Sequence, residues 1–404
     1  MQHSATKTIG PLAVITGASR GIGRAIVQEI LHKQPNTTVL ATARDLSYWR
    51  ESTSFASEEE KTRLHLIEGD LTENSTVKRI SQTVAQLLED SRGWAFQGDI
   101  SGEEYDEEGN YTADNFSVLT RPRCRLDLLV HSCGTIHPIV RTSNLSTEVD
   151  AEKTMDDESE TDEFLEEFRD AMNTNFFSAV ELTQNLLPFF KENRLIKTSA
   201  GRTGLYLRNG TFVADASLST ESSDEGHLKQ QQRPLILFMN SAAATFFTTP
   251  GWAAYCSTKA ALLQYAKVLA MENNHQGIDV LSLAPGLVDT DMQRDIATEG
   301  KKLVDSAPNT FEEELQHDKE GKEKNKTVMD KELLENLESL RLRKDMRKPN
   351  SVAEICCRNI FFDKTMREKL AEKLKGFLNG ELTELVDIEK EVSEIEIADL
   401  EMQV

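Results

Sequence analysis

The sequence predicts an α/β chain: a single doubly wound parallel sheet, Rossmann-like, of about seven strands with helices on both faces and acidic insertions between. Three observations predict it. Seven short apolar runs recur, at residues 12–16, 38–41, 64–67, 126–130, 235–239, 278–283 and 382–386. Segments with helical apolar spacing separate them, the alternation that builds parallel βα units. Most of the runs are continuously apolar rather than alternating, as strands buried on both faces require.

The first run ends at Thr16 and enters Thr-Gly-Ala-Ser-Arg-Gly-Ile-Gly, residues 16–23. Gly17 suits a tight turn, Gly21 allows the backbone to approach a pyrophosphate, and Gly23 lets the next helix pack close to the sheet. That helix carries Ile22, Ile26 and Ile30 on one stripe and aims its N-terminal amides at the phosphates. The second run leads into Ala41-Thr42-Ala43-Arg44, with no acid where ribose hydroxyls would need one until Asp45. Arg44, with Arg20, can clamp a 2′-phosphate, so NADP(H) is the expected cofactor. Asp70 follows the third run, placed either to accept from an adenine amino group or to cap the next helix.

After the fifth run comes Ser241, and fourteen residues later Tyr255 and Lys259 stand one helical turn apart in Tyr-Cys-Ser-Thr-Lys. The spacing puts both on one helix face, with Leu262, Ala266 and Leu269 as the expected buried stripe. A phenol titrates near pH 10, and an ammonium beside it favours the phenolate. Lys259 is therefore expected to lower the Tyr255 pKa and to hold nicotinamide ribose hydroxyls. Ser241, or less readily Asn240, is expected to hydrogen-bond a substrate carbonyl and the oxyanion that develops there. Asn175, in Thr-Asn-Phe-Phe, is expected to fix a water that links Lys259 to solvent.

Composition bounds the rest. At 404 residues the chain exceeds an ordinary single α/β domain, and the excess lies in polar insertions. Residues 97–121 carry seven acids before their first base, Arg121, and residues 145–163 are acid-rich around Lys153. Residues 198–233 are rich in Ser, Thr, Gly and Gln. Loop or disorder is expected there, because so few apolar groups cannot offset the entropy of ordering. One domain is expected over 1–404, with a substrate-covering segment at 287–348 and an acidic tail at 388–404. The net charge of −22 argues against nucleic acid. No apolar run is long enough to span a bilayer, five cysteines lack pairing or metal-ligand spacing, and no basic-then-apolar leader opens the sequence. No membrane partner, no metal and a cytoplasmic location are expected.

As an ordered set, the glycine loop at 17–23, Asp70, Asn175, Ser241, Tyr255-x-x-x-Lys259 and Pro285-Gly286 resemble the short-chain dehydrogenase/reductase family. Gly251-Trp252-Ala-Ala-Tyr255-Cys256 and residues 284–293 are similar to its sepiapterin reductases and benzil reductase-like members. That resemblance implies carbonyl reduction of a ketone or diketone, with Tyr255 as proton donor. It also implies a small-molecule substrate and a homodimer formed through the Tyr255 helix. It extends the cofactor contacts to Ser19, Ile22, Leu71, Gly134, Pro285, Gly286, Val288 and Thr290, and sets Trp252 and Met292 beside the substrate. Alignment on Gly380 places Glu384 where sepiapterin reductases anchor their pterin through an acid. Where the family has Asn-Asn-Ala-Gly, this chain has His131-Ser132-Cys133-Gly134. His131 is then a structural substitute for an asparagine or an added proton shuttle, and Cys133 is a packing residue. The altered loop and the insertions also allow a dinucleotide-binding scaffold without turnover.

Overall fold

A computed structural model describes residues 10–51, 57–89, 124–140, 160–191, 195–197, 203–206, 212–214, 233–305 and 346–401. All seven expected strands are present: β1 (Gly10–Thr16), β2 (Thr38–Ala43), β3 (Leu64–Glu68), β4 (Cys124–His131), β8 (Leu235–Met239), β9 (Asp279–Ala284) and β10 (Asn379–Glu384). They form one parallel sheet in the order β10-β9-β8-β4-β1-β2-β3. Alternation along each strand feeds two cores. Ala13 and Ile15 of β1 point to one face, with Leu235 and Leu237 of β8, and meet Ile26 and Ile30 of the glycine-loop helix. Leu12, Val14, Ile236 and Phe238 point to the other, against Val77, Ile80, Leu182, Leu262, Ala266 and Leu269. The predicted stripe of the Tyr255 helix, Ala253–Asn273, is thus buried as expected.

The strand order reverses between β1 and β4, and the loops leaving their C-terminal ends part there to make a crevice. Thr16 stitches its floor: its hydroxyl donates to the Val130 carbonyl at 3.3 Å and accepts from the Ser132 amide at 3.1 Å. At the sheet edge, Gly380 of β10 holds φ +73°, and a Cβ there would lie 2.3 Å from the Ala266 carbonyl oxygen. Only a glycine lets β10 seat this closely against the middle of the Tyr255 helix.

Two expectations about the insertions are corrected. Within 198–233, expected as loop or disorder, and just before it, the backbone forms a small antiparallel sheet: β5 (Leu195–Lys197), β6 (Thr203–Tyr206) and β7 (Phe212–Ala214). Residues 388–404, expected as an acidic tail, mostly belong to a helix, Leu385–Glu401, that buries Leu385, Ile388, Val392 and Ile395. Its acids are matched from outside: Arg347 pairs with Glu389, Lys373 with Glu391 at 3.3 Å, Arg358 with Glu396 at 2.9 Å and Lys369 with Asp399 at 2.7 Å. Residues 97–121 lie outside the described residues, as do 145–159; the last of the expected 145–163 insertion is the start of a helix, Glu160–Met172. Of the 287–348 segment, Asp291–Asp305 is helical and 306–345 lie outside the described residues. Among the described residues, no helix is long and apolar enough to cross a membrane, and no group of three or more His, Cys, Asp or Glu can hold a metal ion.

Candidate active site

The crevice takes its shape from two close approaches. Gly17, at φ +66°, stands so near the β4 exit loop that a Cβ would lie 2.7 Å from the Ser132 carbonyl oxygen. A Cβ on Gly23 would lie 2.4 Å from the Gly17 oxygen. The helix that follows, Gly21–Lys33, has no side-chain cap at Arg20 and no acid in its first turn, which leaves its N-terminal amides without intrahelical partners. These features fit a dinucleotide pyrophosphate, which needs bare backbone and a helix N-terminus. Thr290 borders the same loop, its methyl 3.4 Å from a Cβ built on Gly21, and next to Gly286 nothing would lie within 4 Å of such an atom.

The residues expected around the rest of the nucleotide are partly brought together. Burial raises the Cys133 thiol pKa, Arg44 and Lys259 pull it down and Asp70 pushes it up, so all three charges stand within electrostatic reach of one buried atom. Asp70 also closes a turn, accepting from the Thr72 amide at 2.9 Å and hydroxyl at 2.8 Å. Arg20 is placed differently from the expected clamp: its guanidinium bonds Asp291 at 3.0 Å, across the crevice mouth. Asp291 also pairs with Arg294. Leu71 and Val288 are buried side chains, so what they offer a cofactor is backbone. Ile22 packs against the helix–sheet core, and Ser19 is half-buried in the loop.

Tyr255 and Lys259 share one face of their helix and are both buried, at 7% and 4% exposure. Lys259 Nζ donates to the Met239 carbonyl at 2.9 Å and lies 5.6 Å from the Tyr255 ring centre. Burial pushes the phenol pKa up to about 12, opposed by a side-chain hydrogen bond with Ser241. This corrects the expectation of a phenol lowered by the neighbouring amine: burial sets the direction, and the group that opposes it is Ser241 rather than Lys259. The same burial brings Lys259 down to about 8. Ser241 rather than Asn240 reaches Tyr255, because Asn240 turns inward, donating to the Ser282 hydroxyl at 3.0 Å and accepting from the Ser241 amide at 2.9 Å.

Asn175 sits in a π-helical turn, Asn173–Phe177, and acts as a brace. Its oxygen accepts from the Thr135 amide at 2.7 Å, and its nitrogen donates to the Thr135 carbonyl at 2.8 Å and to the Thr258 hydroxyl at 3.0 Å. A Cβ on Gly134 would lie 3.3 Å from that oxygen and 3.7 Å from Lys259 Nζ, which puts Asn175 and Lys259 on either side of one glycine. Both amide hydrogens of Asn175 are thereby used, so its part in any water relay is limited to the oxygen. His131 is structural: its Nε2 lies 2.8 Å from the Thr183 hydroxyl and its ring stacks on Phe238 at 4.9 Å. Burial depresses its pKa to about 3, leaving it neutral and unsuited to a proton shuttle. Thr183 and Thr258 were not foreseen, since a lone hydroxyl inside a helix carries no sequence signal.

An apolar cluster covers the phenol. Trp252 and Met292 join Ile136, Ile139, Ala243, Ile296 and Met346 around Tyr255. Phe247, 39% exposed, lies 5.9 Å from the Trp252 ring. Glu384 is not among them: it ends β10 opposite Ala284, half-buried, with β9 between it and β8.

The buried charge at Lys259 has a measurable consequence. Its pKa of about 8 lies below the ordinary 10.5, so between those values the unfolded chain holds a proton that the folded chain does not. Its contribution to stability therefore rises with pH across that window, by at most about 1.4 kcal/mol per pH unit, and its cost is full below pH 8. Tyr255, raised from 10 to about 12, acts in the opposite sense above pH 10. Urea unfolding at pH 8, 9 and 10 is expected to show a steeper rise for wild type than for Lys259→Met. Parallel curves would show that Lys259 is not the titrating group.

A crevice of this kind, a glycine loop at a parallel sheet's switch point facing a tyrosine–lysine pair, defines a class of dinucleotide-dependent oxidoreductases. The family model for short chain dehydrogenase matches residues 11–91 and 218–301. Uncharacterized oxidoreductase YIR035C of Saccharomyces cerevisiae is 24% identical over 288 residues, 71% of this chain and 74% of that protein. Benzil reductase ((S)-benzoin forming) IRC24 of the same yeast is 23% identical over 288 residues, 71% of this chain and 75% of its own length. The crystal structure of YIR035C shares the fold with a TM-score of 0.52 at 20% identity, covering 93% of this chain and 96% of that one. The chain belongs to the short-chain dehydrogenase/reductase family and is an oxidoreductase of that family.

Proposed function

We propose that this chain is an NADPH-dependent carbonyl reductase acting on a small ketone or diketone, with Tyr255 as proton donor. The observation that carries the reading is the buried Tyr255–Lys259 pair on one helix face, with Lys259 Nζ 5.6 Å from the Tyr255 ring and beside Gly134 at the crevice. A bound nicotinamide supplies the hydride. The chain's own residues manage the proton and the oxygen. A phenol with a pKa near 12 is fully protonated at neutral pH, the state a reduction requires of its acid. Ser241 donates to the same oxygen as it gains charge. Lys259, brought to about 8, is the group that returns a proton to Tyr255, and Asn175 holds Thr135 and Thr258 around it. Gly17, Ser19, Gly21, Ile22 and Gly23 offer backbone to the pyrophosphate. Gly134, Pro285, Gly286, Val288 and Thr290 border the nicotinamide half.

The aromatic wall of Trp252 and Phe247 and the 23% identity to a benzil reductase support a planar or aryl-substituted substrate. Exposed Leu165, Phe177, Val268 and Met271, at 41, 53, 42 and 81%, support a homodimer through the Tyr255 helix face. The test is direct: purified protein with NADPH or NADH and a panel of ketones and diketones, followed by loss of reduced-cofactor absorbance. Turnover supports the reading. Dinucleotide binding without turnover of any carbonyl supports instead a scaffold, in which the cluster over Tyr255 stays shut.

Cofactor choice is tested at Arg44, the exposed cation at the end of β2 once Arg20 is engaged by Asp291. A charge-assisted bond to a 2′-phosphate contributes about 1.5–3 kcal/mol. Arg44→Ala is therefore expected to weaken NADPH binding by about tenfold or more while NADH binding changes little, measured by titration calorimetry. Equal losses for both nucleotides would remove Arg44 from 2′-phosphate recognition.

A further inference from the structure

Trp252 is the residue immediately before the Tyr255 helix, and its side chain is 7% exposed. Its indole nitrogen is fully covered, and among the described residues no acceptor meets it. The buried apolar side chains clustered with it are Ile136, Ile139, Ala243, Ile296 and Met346, with Met292 and Cys256 at the edge. A buried donor without a partner costs free energy, and a phenylalanine would fill the same space without that cost. Two other buried polar atoms lack partners among the described residues, Thr42 Oγ1 and Asn274 Oδ1, and neither belongs to the cluster around Tyr255. The Trp252 ring lies 5.8 Å from the Tyr255 ring, edge to face.

We infer that the Trp252 indole N–H is a specificity-determining donor for substrates that carry a second oxygen beside the reacting carbonyl, a 1,2-dicarbonyl or an α-hydroxyketone. The inference rests on the carbonyl reductase reading above. Tyr255 and Ser241 serve the reacting oxygen, which leaves Trp252 as the one unspent donor in the cluster among the described residues. The two rings are neighbours, so a ligand over Tyr255 also lies beside Trp252. Met292 and Met346 are unbranched, adaptable side chains able to yield the space over the indole to a ligand. Phe247, outward of Trp252 and partly exposed, then faces the substituent on the second carbon. A site built to bond a substrate oxygen discriminates steeply against an analogue that lacks it, whereas apolar contact alone discriminates weakly.

The experiment compares 1-phenylpropane-1,2-dione with propiophenone, the matched monoketone, using the full chain and NADPH. For wild type and Trp252→Phe, kcat/KM is measured for each, together with the ligand-free unfolding temperature. The dione-to-ketone ratio is expected to fall about tenfold or more in the variant, the size of one lost directional hydrogen bond. The ligand-free variant is expected to unfold at the same temperature or higher, since a donor without a partner has gone. Intrinsic reactivity of the two carbonyls cancels between proteins. An unchanged ratio in an active variant overturns the inference, as does a steep fall in the ligand-free unfolding temperature, which would reveal a structural partner for the indole. If wild type reduces neither compound with either nucleotide, the carbonyl reductase reading itself fails, and this inference with it.

Discussion

Tyr255→Phe is expected to lower carbonyl turnover by about two to four orders of magnitude, the range over which positioned acids act. The substitution removes one oxygen and leaves the ring, so the edge-to-face contact with Trp252 at 5.8 Å and the apolar cluster survive. What disappears is the hydroxyl proton. Any hydrogen bond the hydroxyl makes with Ser241 is neutral, and losing one costs about 0.5–1.5 kcal/mol of stability, too little to unfold a domain. Dinucleotide binding should persist, because the glycine loop and Arg44 are untouched. The measurement is single-turnover decay of reduced-cofactor absorbance beside an unfolding curve. A folded variant that keeps a tenth of wild-type turnover would mean the proton comes from elsewhere.

The second large effect is expected at Gly17→Ala. Two penalties act together: φ of +66° disfavours any Cβ, and that Cβ would lie 2.7 Å from the Ser132 oxygen and 2.8 Å from the Cys133 nitrogen. Both are backbone atoms of the β4 exit, which cannot swing aside as a side chain can. The combined cost is about 2–5 kcal/mol. Dinucleotide affinity should be lost with it, since the displaced loop is the crevice wall. Gly277→Ala is the control, with φ of +83° and nothing within 4 Å of the added atom. It isolates the conformational penalty, about 1–2 kcal/mol. Equal destabilisation of the two variants in urea would show that the close approach at Gly17 does not matter.

Much of this fold could be read from local pattern, because each sheet strand is an apolar run and the sheet's two cores require it. Ser241, Tyr255 and Lys259 were legible by the same logic, since a fixed helical spacing brings two of them together. The misreadings arise where the deciding partner lies far along the chain. Leu385, Ile388, Val392 and Ile395 are spaced for a helix, yet the acids between them suggest a tail until Arg347, Arg358, Lys369 and Lys373 are seen to face them. Arg20 is legible as a loop arginine, but its pairing with Asp291, far along the chain, is not. The direction of the Tyr255 pKa could not be read either. A neighbouring amine is visible in sequence, whereas the depth of burial that sets the direction is a property of the assembled cluster.

The glycine contact between Gly380 and Ala266 sets an order of events during synthesis. The tyrosine and lysine leave the ribosome long before the strand that seats against the middle of their helix, so until Gly380 emerges that helix lacks one of its neighbours. A chain cut short of that codon would lack the strand that seats against the middle of the helix carrying the tyrosine and lysine.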